Sequence, residues 1–143
     1  MSIRKLLARS ASSMSTWGLR HIARRPAANM PGKIALKLDP QIIAESMGKV
    51  TEGSIVVVGT NGKTTITNMI ADALERQGKT VACNRTGANL AYGVATTLLQ
   101  TKGSVEWGVF ESDELWLAHT LPQVQASYVL LLNLFRDQLD RCG

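Results

Sequence analysis

The sequence predicts an α/β protein: a mostly parallel sheet with helices on both faces and a phosphate-binding loop at its centre. Three observations carry this. Ser54-Ile55-Val56-Val57-Val58 is a continuous, largely β-branched run, the mark of a strand buried on both faces of a parallel sheet. The glycine-bounded stretch Gly59–Thr65 follows it directly and opens an amphipathic segment. Further short apolar runs then alternate with helical patterns, the spacing of right-handed βαβ units.

Taken in order, residues 1–30 form a basic leader and residues 31–53 a short helical lead-in. Residues 54–143 form the nucleotide-binding body. The leader's helical pattern sets Ile3, Leu6, Leu7, Met14 and Trp17 on one side and Arg4, Lys5, Arg9 and Arg20 elsewhere. Three readings stay open: an amphipathic segment on an anionic membrane surface, an acid-free targeting segment of the mitochondrial kind, or a solvated tail. No apolar core of about 7–15 residues follows the first charges, so a secretory signal is disfavoured. Arg25-Pro26 through Pro31-Gly32 reads as a linker. Asp39 then caps a short helix over Gln41–Met47, with Pro40 at its first position and Gly48 as the stop.

The body begins with the strand Ser54–Val58. The spacing of Ile66, Met69, Ile70, Ala73 and Leu74 predicts a helix over Lys63–Gln77 that packs this stripe on the sheet, closed by Gly78. Thr80–Cys83 reads as a second strand. Ala88–Gln100 reads as a helix with Leu90, Val94, Thr97 and Leu98 on its buried stripe. Val105–Phe110 is a third strand, Ser112–Thr120 a short helix ended by Pro122, and Ser127–Leu132 a fourth strand of the buried kind. In such sheets ligands gather beyond the carboxyl ends of the strands, so the informative residues belong just after each one.

Composition narrows the function. Of 143 residues, 45% are hydrophobic and 19% charged, the balance of a globular chain. No run approaches the roughly 18 apolar residues of a membrane-spanning helix. The formal net charge of +5 divides unevenly. Residues 1–38 hold eight Lys/Arg and no acid; the remainder has eight against eleven acids, a net of −3. A mildly acidic body argues against a nucleic-acid partner. Cys83 and Cys142 lie far apart with no ligand-type companions, so neither a disulfide scaffold nor a zinc site is expected within this chain, and a cytoplasmic setting fits.

The chemistry centres on Gly59-Thr60-Asn61-Gly62-Lys63-Thr64-Thr65. Between a buried strand and a helix, this G-x-x-G-K-T-T stretch suits a phosphate cradle, although position 57 is Val57 where the eight-residue signature wants glycine. Gly62 lets backbone approach an anion, and amides at the helix start point toward phosphate oxygens. Lys63 supplies charge for β- and γ-phosphates. Thr64 offers a hydroxyl to Mg²⁺, with Thr65 beside it. A glycine turn that merely starts a helix would need no Lys-Thr-Thr.

This loop resembles the ATP loop of the Mur ligases and of folylpolyglutamate synthases, which activate a carboxylate with ATP and couple it to an amine. Asn84-Arg85-Thr86-Gly87-Ala88-Asn89, Phe110-Glu111-Ser112-Asp113-Glu114 and Asn133-Leu134-Phe135-Arg136-Asp137-Gln138-Leu139-Asp140-Arg141 come after the next three strands in the same order as in the Mur ligases. With Pro31-Gly32-Lys33-Ile34-Ala35-Leu36-Lys37-Leu38-Asp39-Pro40 added, the pattern is most similar to the MurT branch of that family, over Pro31 to Gly143. The resemblance implies Glu111 and Thr64 as Mg²⁺ ligands. It places Asn89, Asn133, Asp137 and Gln138 on the phosphate or acyl-acceptor side, and assigns no catalytic residue. Mur ligases typically read Asp-His where this chain has Asp137-Gln138, so their second metal position is not implied.

The activity implied by the resemblance is that of an ATP- and Mg²⁺-dependent ligase amidating the D-glutamate of the lipid II stem peptide. Ammonia would come from a GatD-type glutaminase subunit, at the inner face of the cell membrane. A Mur-like central domain would continue past Gly143, so the chain is expected to be an N-terminal fragment, truncated at the C-terminus, that binds nucleotide weakly and does not itself catalyse. Two alternatives are a folylpolyglutamate-synthase-like ligase, for which Asp-His would be expected, and a non-catalytic P-loop module. A guanine-selecting N-K-x-D, which would favour a switch protein, is absent. A basic membrane-binding adaptor is a third, separable by deleting residues 1–30.

Overall fold

A computed structural model describes residues 29–88, 90–114 and 116–133. The leader lies outside them apart from Asn29 and Met30. The described chain runs α1 (Met30–Leu38), α2 (Ile42–Ser46), a 3₁₀ turn (Met47–Lys49), β1 (Val50–Val58), α3 (Lys63–Arg76), β2 (Val81–Cys83), α4 (Ala91–Gln100), β3 (Val105–Ser112), α5 (Leu117–Val124) and β4 (Tyr128–Leu131). The strands form one sheet in the order β2-β3-β1-β4, with every pairing parallel. The fold class read from the sequence is the one observed.

Strand alternation divides the core. Val56, Val58, Ala82 and Phe110 pack into one cluster with Ala35 of α1, Ile42 and Ile43 of α2, Val94 and Leu98 of α4, and Val124 of α5. The intervening residues, Val57 and Val109, turn to the other face, which α3 covers with Thr67 and Ala71.

Several local expectations are corrected. Pro31 and Gly32 begin α1 rather than end a linker. Proline is tolerated in a first helical turn, where its missing N–H has no partner to lose. The Gly32 amide donates to Thr96 Oγ1 at 2.8 Å, and a Cβ on Gly32 would lie 1.9 Å from the Tyr92 carbonyl oxygen, so α1 and α4 cross in close contact. Asp39 does not cap α2 directly. Its Oδ1 accepts from the Gln41 amide at 3.1 Å in a local turn, and the helix starts at Ile42. Lys49 closes the lead-in by donating to the Leu98 and Thr101 carbonyls, each at 2.7 Å, at the C-terminal end of α4.

β1 starts at Val50, four residues before the buried run, because Thr51 and Glu52 are exposed and polar and Gly53 has no side chain, so no continuous apolar run marks its start. α3 is rotated relative to the predicted stripe. Lys63, Thr67 and Ala71 are buried, Ile66, Ile70 and Leu74 are half-buried, and Ala73 and Met69 (60% accessible) are exposed. The loop before α3 has to present Lys63 inward, and that fixes the helix's rotation. α4 begins at Ala91, three residues later than the pattern suggests, because Thr86-Gly87-Ala88 belong to a loop.

Ser112 ends β3 and does not start a helix. α5 begins at Leu117 and passes through Pro122, giving up one backbone bond to the Ala118 carbonyl. β4 is apolar yet exposed at all four positions, Tyr128 reaching 63%. Among the described residues it is an edge strand paired only to β1. An apolar strand is buried only when neighbours cover it, which its own composition cannot report. No helix among the described residues is long and apolar enough to cross a membrane.

Candidate functional site

The parallel register sets the site. Val57 pairs with Glu111 and Val58 with Ser112, so the loop leaving β1 emerges beside the end of β3. Leu131 of β4 pairs with Val58 on the other side, and the Thr60 amide donates to the Asn133 carbonyl at 3.0 Å. The loop is thus held between two strand ends.

Two glycines shape it. Gly62 caps α3 at φ +85°, in the left-handed region that side chains disfavour. Gly59 approaches β4 so closely that a Cβ would lie 3.0 Å from the Asn133 carbonyl oxygen. Lys63 is 8% accessible, and its ammonium donates to the Gly59 carbonyl and, at 3.3 Å, to that of Thr60. The first-turn amides of α3 have no intrahelical acceptor and carry the positive end of the helix dipole.

Thr60 through Thr65, Gly87 and Glu111 line one cleft of about 280 Å³. Glu111 is 1% accessible, and its Oε2 has no hydrogen-bond partner among the described residues. Burial raises its carboxyl above the ordinary range, opposed by a hydrogen bond from Thr64 and the charge of Lys63. Gly87 closes this corner: a Cβ there would lie 3.5 Å from Thr64 Oγ1 and 3.7 Å from Glu111 Oε1.

A hydroxyl beside a buried carboxylate with one oxygen unpaired is a donor set suited to a hard divalent cation such as Mg²⁺. Among the described residues no three His, Cys, Asp or Glu side chains converge, and water or phosphate oxygens are suitable further ligands for such a cation. A larger cleft, about 400 Å³, opens at the opposite end of β1 beside Gly48, Glu52 and Gln125. No Lys or Arg lines it, so it offers an anion no fixed positive charge.

Of the residues expected from sequence, Gly59 through Thr65 and Glu111 come together. Asn133 lies alongside the loop. Its Oδ1 accepts from the Asn61 amide at 3.0 Å and its Nδ2 donates to the Asn61 carbonyl at 3.1 Å. Asn89, Asp137, Gln138 and Cys142 lie outside the described residues. Two contributors were not foreseen. The exposed Arg85 ties the segment after β2 to α3 through Asp72 (2.6 Å) and Glu75 (2.8 Å). Asn84 is buried and hydrogen-bonded to the backbone of Glu111. The available signal was its place, a polar residue immediately after a strand.

A family model described as the Mur ligase middle domain matches residues 57–143. The chain belongs to the Mur ligase family. It is 36% identical over 146 residues to the lipid II isoglutaminyl synthase (glutamine-hydrolyzing) subunit MurT of Streptococcus pneumoniae, covering 100% of this chain and 32% of the relative. A protein of the same description from Staphylococcus aureus (strain COL) is 33% identical over 141 residues, covering 91% of this chain and 32% of that protein. The chain therefore spans about a third of the length of these relatives. Among solved structures, a UDP-N-acetylmuramoylalanyl-D-glutamyl-2,6-diaminopimelate–D-alanyl-D-alanyl ligase from Acinetobacter baumannii superposes with a TM-score of 0.57. It is 24% identical, over 70% of this chain and 22% of that one, a likeness of fold.

Proposed function

We propose that this chain carries the ATP- and Mg²⁺-handling part of a Mur-type ligase that amidates D-glutamate in the lipid II stem peptide. The observation that carries the reading is Glu111: a buried carboxylate with one oxygen unpaired among the described residues, beside Thr64 and facing a glycine loop that holds a buried lysine. The names of the MurT relatives support the substrate class.

In this reading the amides of Asn61 to Thr65 and the dipole of α3 hold the β- and γ-phosphates. Lys63 has one of its three N–H donors left for a phosphate oxygen. Thr64 and Glu111 would hold Mg²⁺, which when bound neutralises phosphate charge. The substrate carboxylate attacks the γ-phosphorus and releases ADP, giving an acyl phosphate. Ammonia from a GatD-type glutaminase subunit attacks the acyl carbon, and phosphate leaves with formation of the amide. The residues of this chain contribute positioning and electrostatics to the first step. The basic leader would keep the protein near its lipid-linked substrate at the inner membrane face.

Thermal melting with Mg-ATP tests the nucleotide reading. At a ligand concentration ten times Kd, binding stabilises the folded state by about 1.4 kcal/mol. Wild type should show a rising melting temperature with ATP, and Lys63→Ala should lose most of it. Equal shifts in both proteins, or none in wild type at saturating millimolar ATP, would overturn the reading.

A further inference from the structure

β2 ends at Cys83, whose partner on β3 is Val109, and the backbone then leaves the sheet. β3 runs on for three residues, to Ser112. In a parallel ladder the N–H and C=O of one residue point to the same side, and those of Glu111 point toward the strand that has departed. The Asn84 side chain takes that strand's place. Its Oδ1 accepts from the Glu111 amide at 2.9 Å, and its Nδ2 donates to the Glu111 carbonyl at 3.0 Å and to the Ala88 carbonyl at 2.8 Å.

We propose that Asn84 is the positioning residue for Glu111, its carboxamide supplying a further rung of the β2–β3 ladder that aims the carboxylate at the cation and fixes the Gly87 wall. Asn84 is 3% accessible, and both of its N–H donors are used. Removing it would leave a buried amide and two buried carbonyls without these partners. The bond to Ala88 fixes the residue following Gly87, whose Cα faces Thr64 and Glu111. One buried carboxamide therefore joins the two walls of the cation corner. The other link in this segment, Arg85 to Asp72 and Glu75, lies at the surface with side chains 38–51% accessible. Exposed pairs of that kind add little fixation.

The inference rests on the proposed nucleotide site, and the test separates the two. Binding of a fluorescent ATP analogue to the 143-residue chain is titrated in EDTA and again with Mg²⁺. The proteins are wild type, Asn84→Ala, Asn84→Asp, Glu111→Gln, the Asn84→Ala/Glu111→Gln double variant, Arg85→Ala and Lys63→Ala, with folding checked by circular dichroism. Residues that orient a metal ligand typically account for about tenfold to a hundredfold in metal affinity.

Asn84→Ala should lose about tenfold or more of the Mg²⁺ enhancement while its affinity in EDTA stays within about twofold of wild type. The double variant should be no weaker than Glu111→Gln alone, because the two residues act through one ligand. Arg85→Ala should keep the enhancement. Should Asn84→Ala not fold, Asn84→Asp carries the same prediction, since it keeps the acceptor and volume and loses the donor. Full Mg²⁺ enhancement in the folded Asn84 variants, or losses that multiply in the double variant, would overturn the proposal. Indistinguishable binding by wild type and Lys63→Ala would instead remove the nucleotide reading, and this inference with it.

Discussion

Replacing Glu111 by glutamine should stabilise the protein without ligand and abolish its response to magnesium. The side chain is 1% accessible, and one carboxylate oxygen has no partner among the described residues. An unsatisfied buried polar atom costs about 1–3 kcal/mol, and more when charged. Glutamine keeps the shape and removes the charge, so about 1 kcal/mol should be recovered. For a domain near 100 residues that raises the melting temperature by about 4–8 °C. The pH dependence has a definite sign. Burial raises the Glu111 carboxyl above its ordinary 4.5, so between those two values the folded state holds a proton that the unfolded state has released. Wild-type stability therefore falls as pH rises through the folded value. The gap between wild type and Glu111→Gln should open at pH 8 and close toward pH 4.5. Melts by circular dichroism across that range measure it directly. With saturating Mg-ATP the order should reverse, because only wild type gains the full binding energy. A variant that melts below wild type at pH 8 without ligand, or a gap that does not change with pH, would refute the reasoning.

Two further outcomes test the surrounding structure. Gly32→Ala should lower stability in urea denaturation by about 1–3 kcal/mol through overpacking against Tyr92, whereas Gly48→Ala, with no atom within 4 Å of the added Cβ, should be near neutral. Glu106 should titrate at about 2, held down first by its hydrogen bond from Lys79. In Lys79→Ala, carboxyl NMR shifts should move that midpoint toward 4.5, and the stability that wild type loses as pH falls toward 2 should diminish.

The central strand and the loop were legible because each depends on local information, whereas Glu111 was reached through the resemblance to the Mur ligases. Val56 to Val58 lie on the strand between β3 and β4, where both faces are covered, and Gly62 at a left-handed φ with Lys63 after it needs only the strand–helix junction. The fourth strand misled for a physical reason. An apolar run reports what a strand can bury, and Tyr128 to Leu131 lie at an edge where, beyond the Trp107 ring stacked on Tyr128, little among the described residues covers them. The helix after the loop was read from its most hydrophobic stripe, yet Thr67 and Ala71 face the sheet while Met69 does not, because the loop sets the helix's rotation. Pro122 pointed to an end where the helix passes through it. The position of Asn84 just after a strand marked it as a candidate, but its contact with Glu111 is visible only once the β2–β3 register is known.

The central claim is that Gly59 to Thr65 hold nucleotide phosphates and that Thr64 and Glu111 share the cation. Paramagnetic relaxation of ¹⁵N-labelled protein with Mn²⁺ and ATP tests it most directly. The account predicts selective broadening of the amides of Thr64, Gly87, Glu111 and Ser112, reversed by excess Mg²⁺ and absent in Glu111→Gln. Broadening centred at the opposite end of the sheet, around Gly48 and Gln125, with these four amides unaffected, would contradict it.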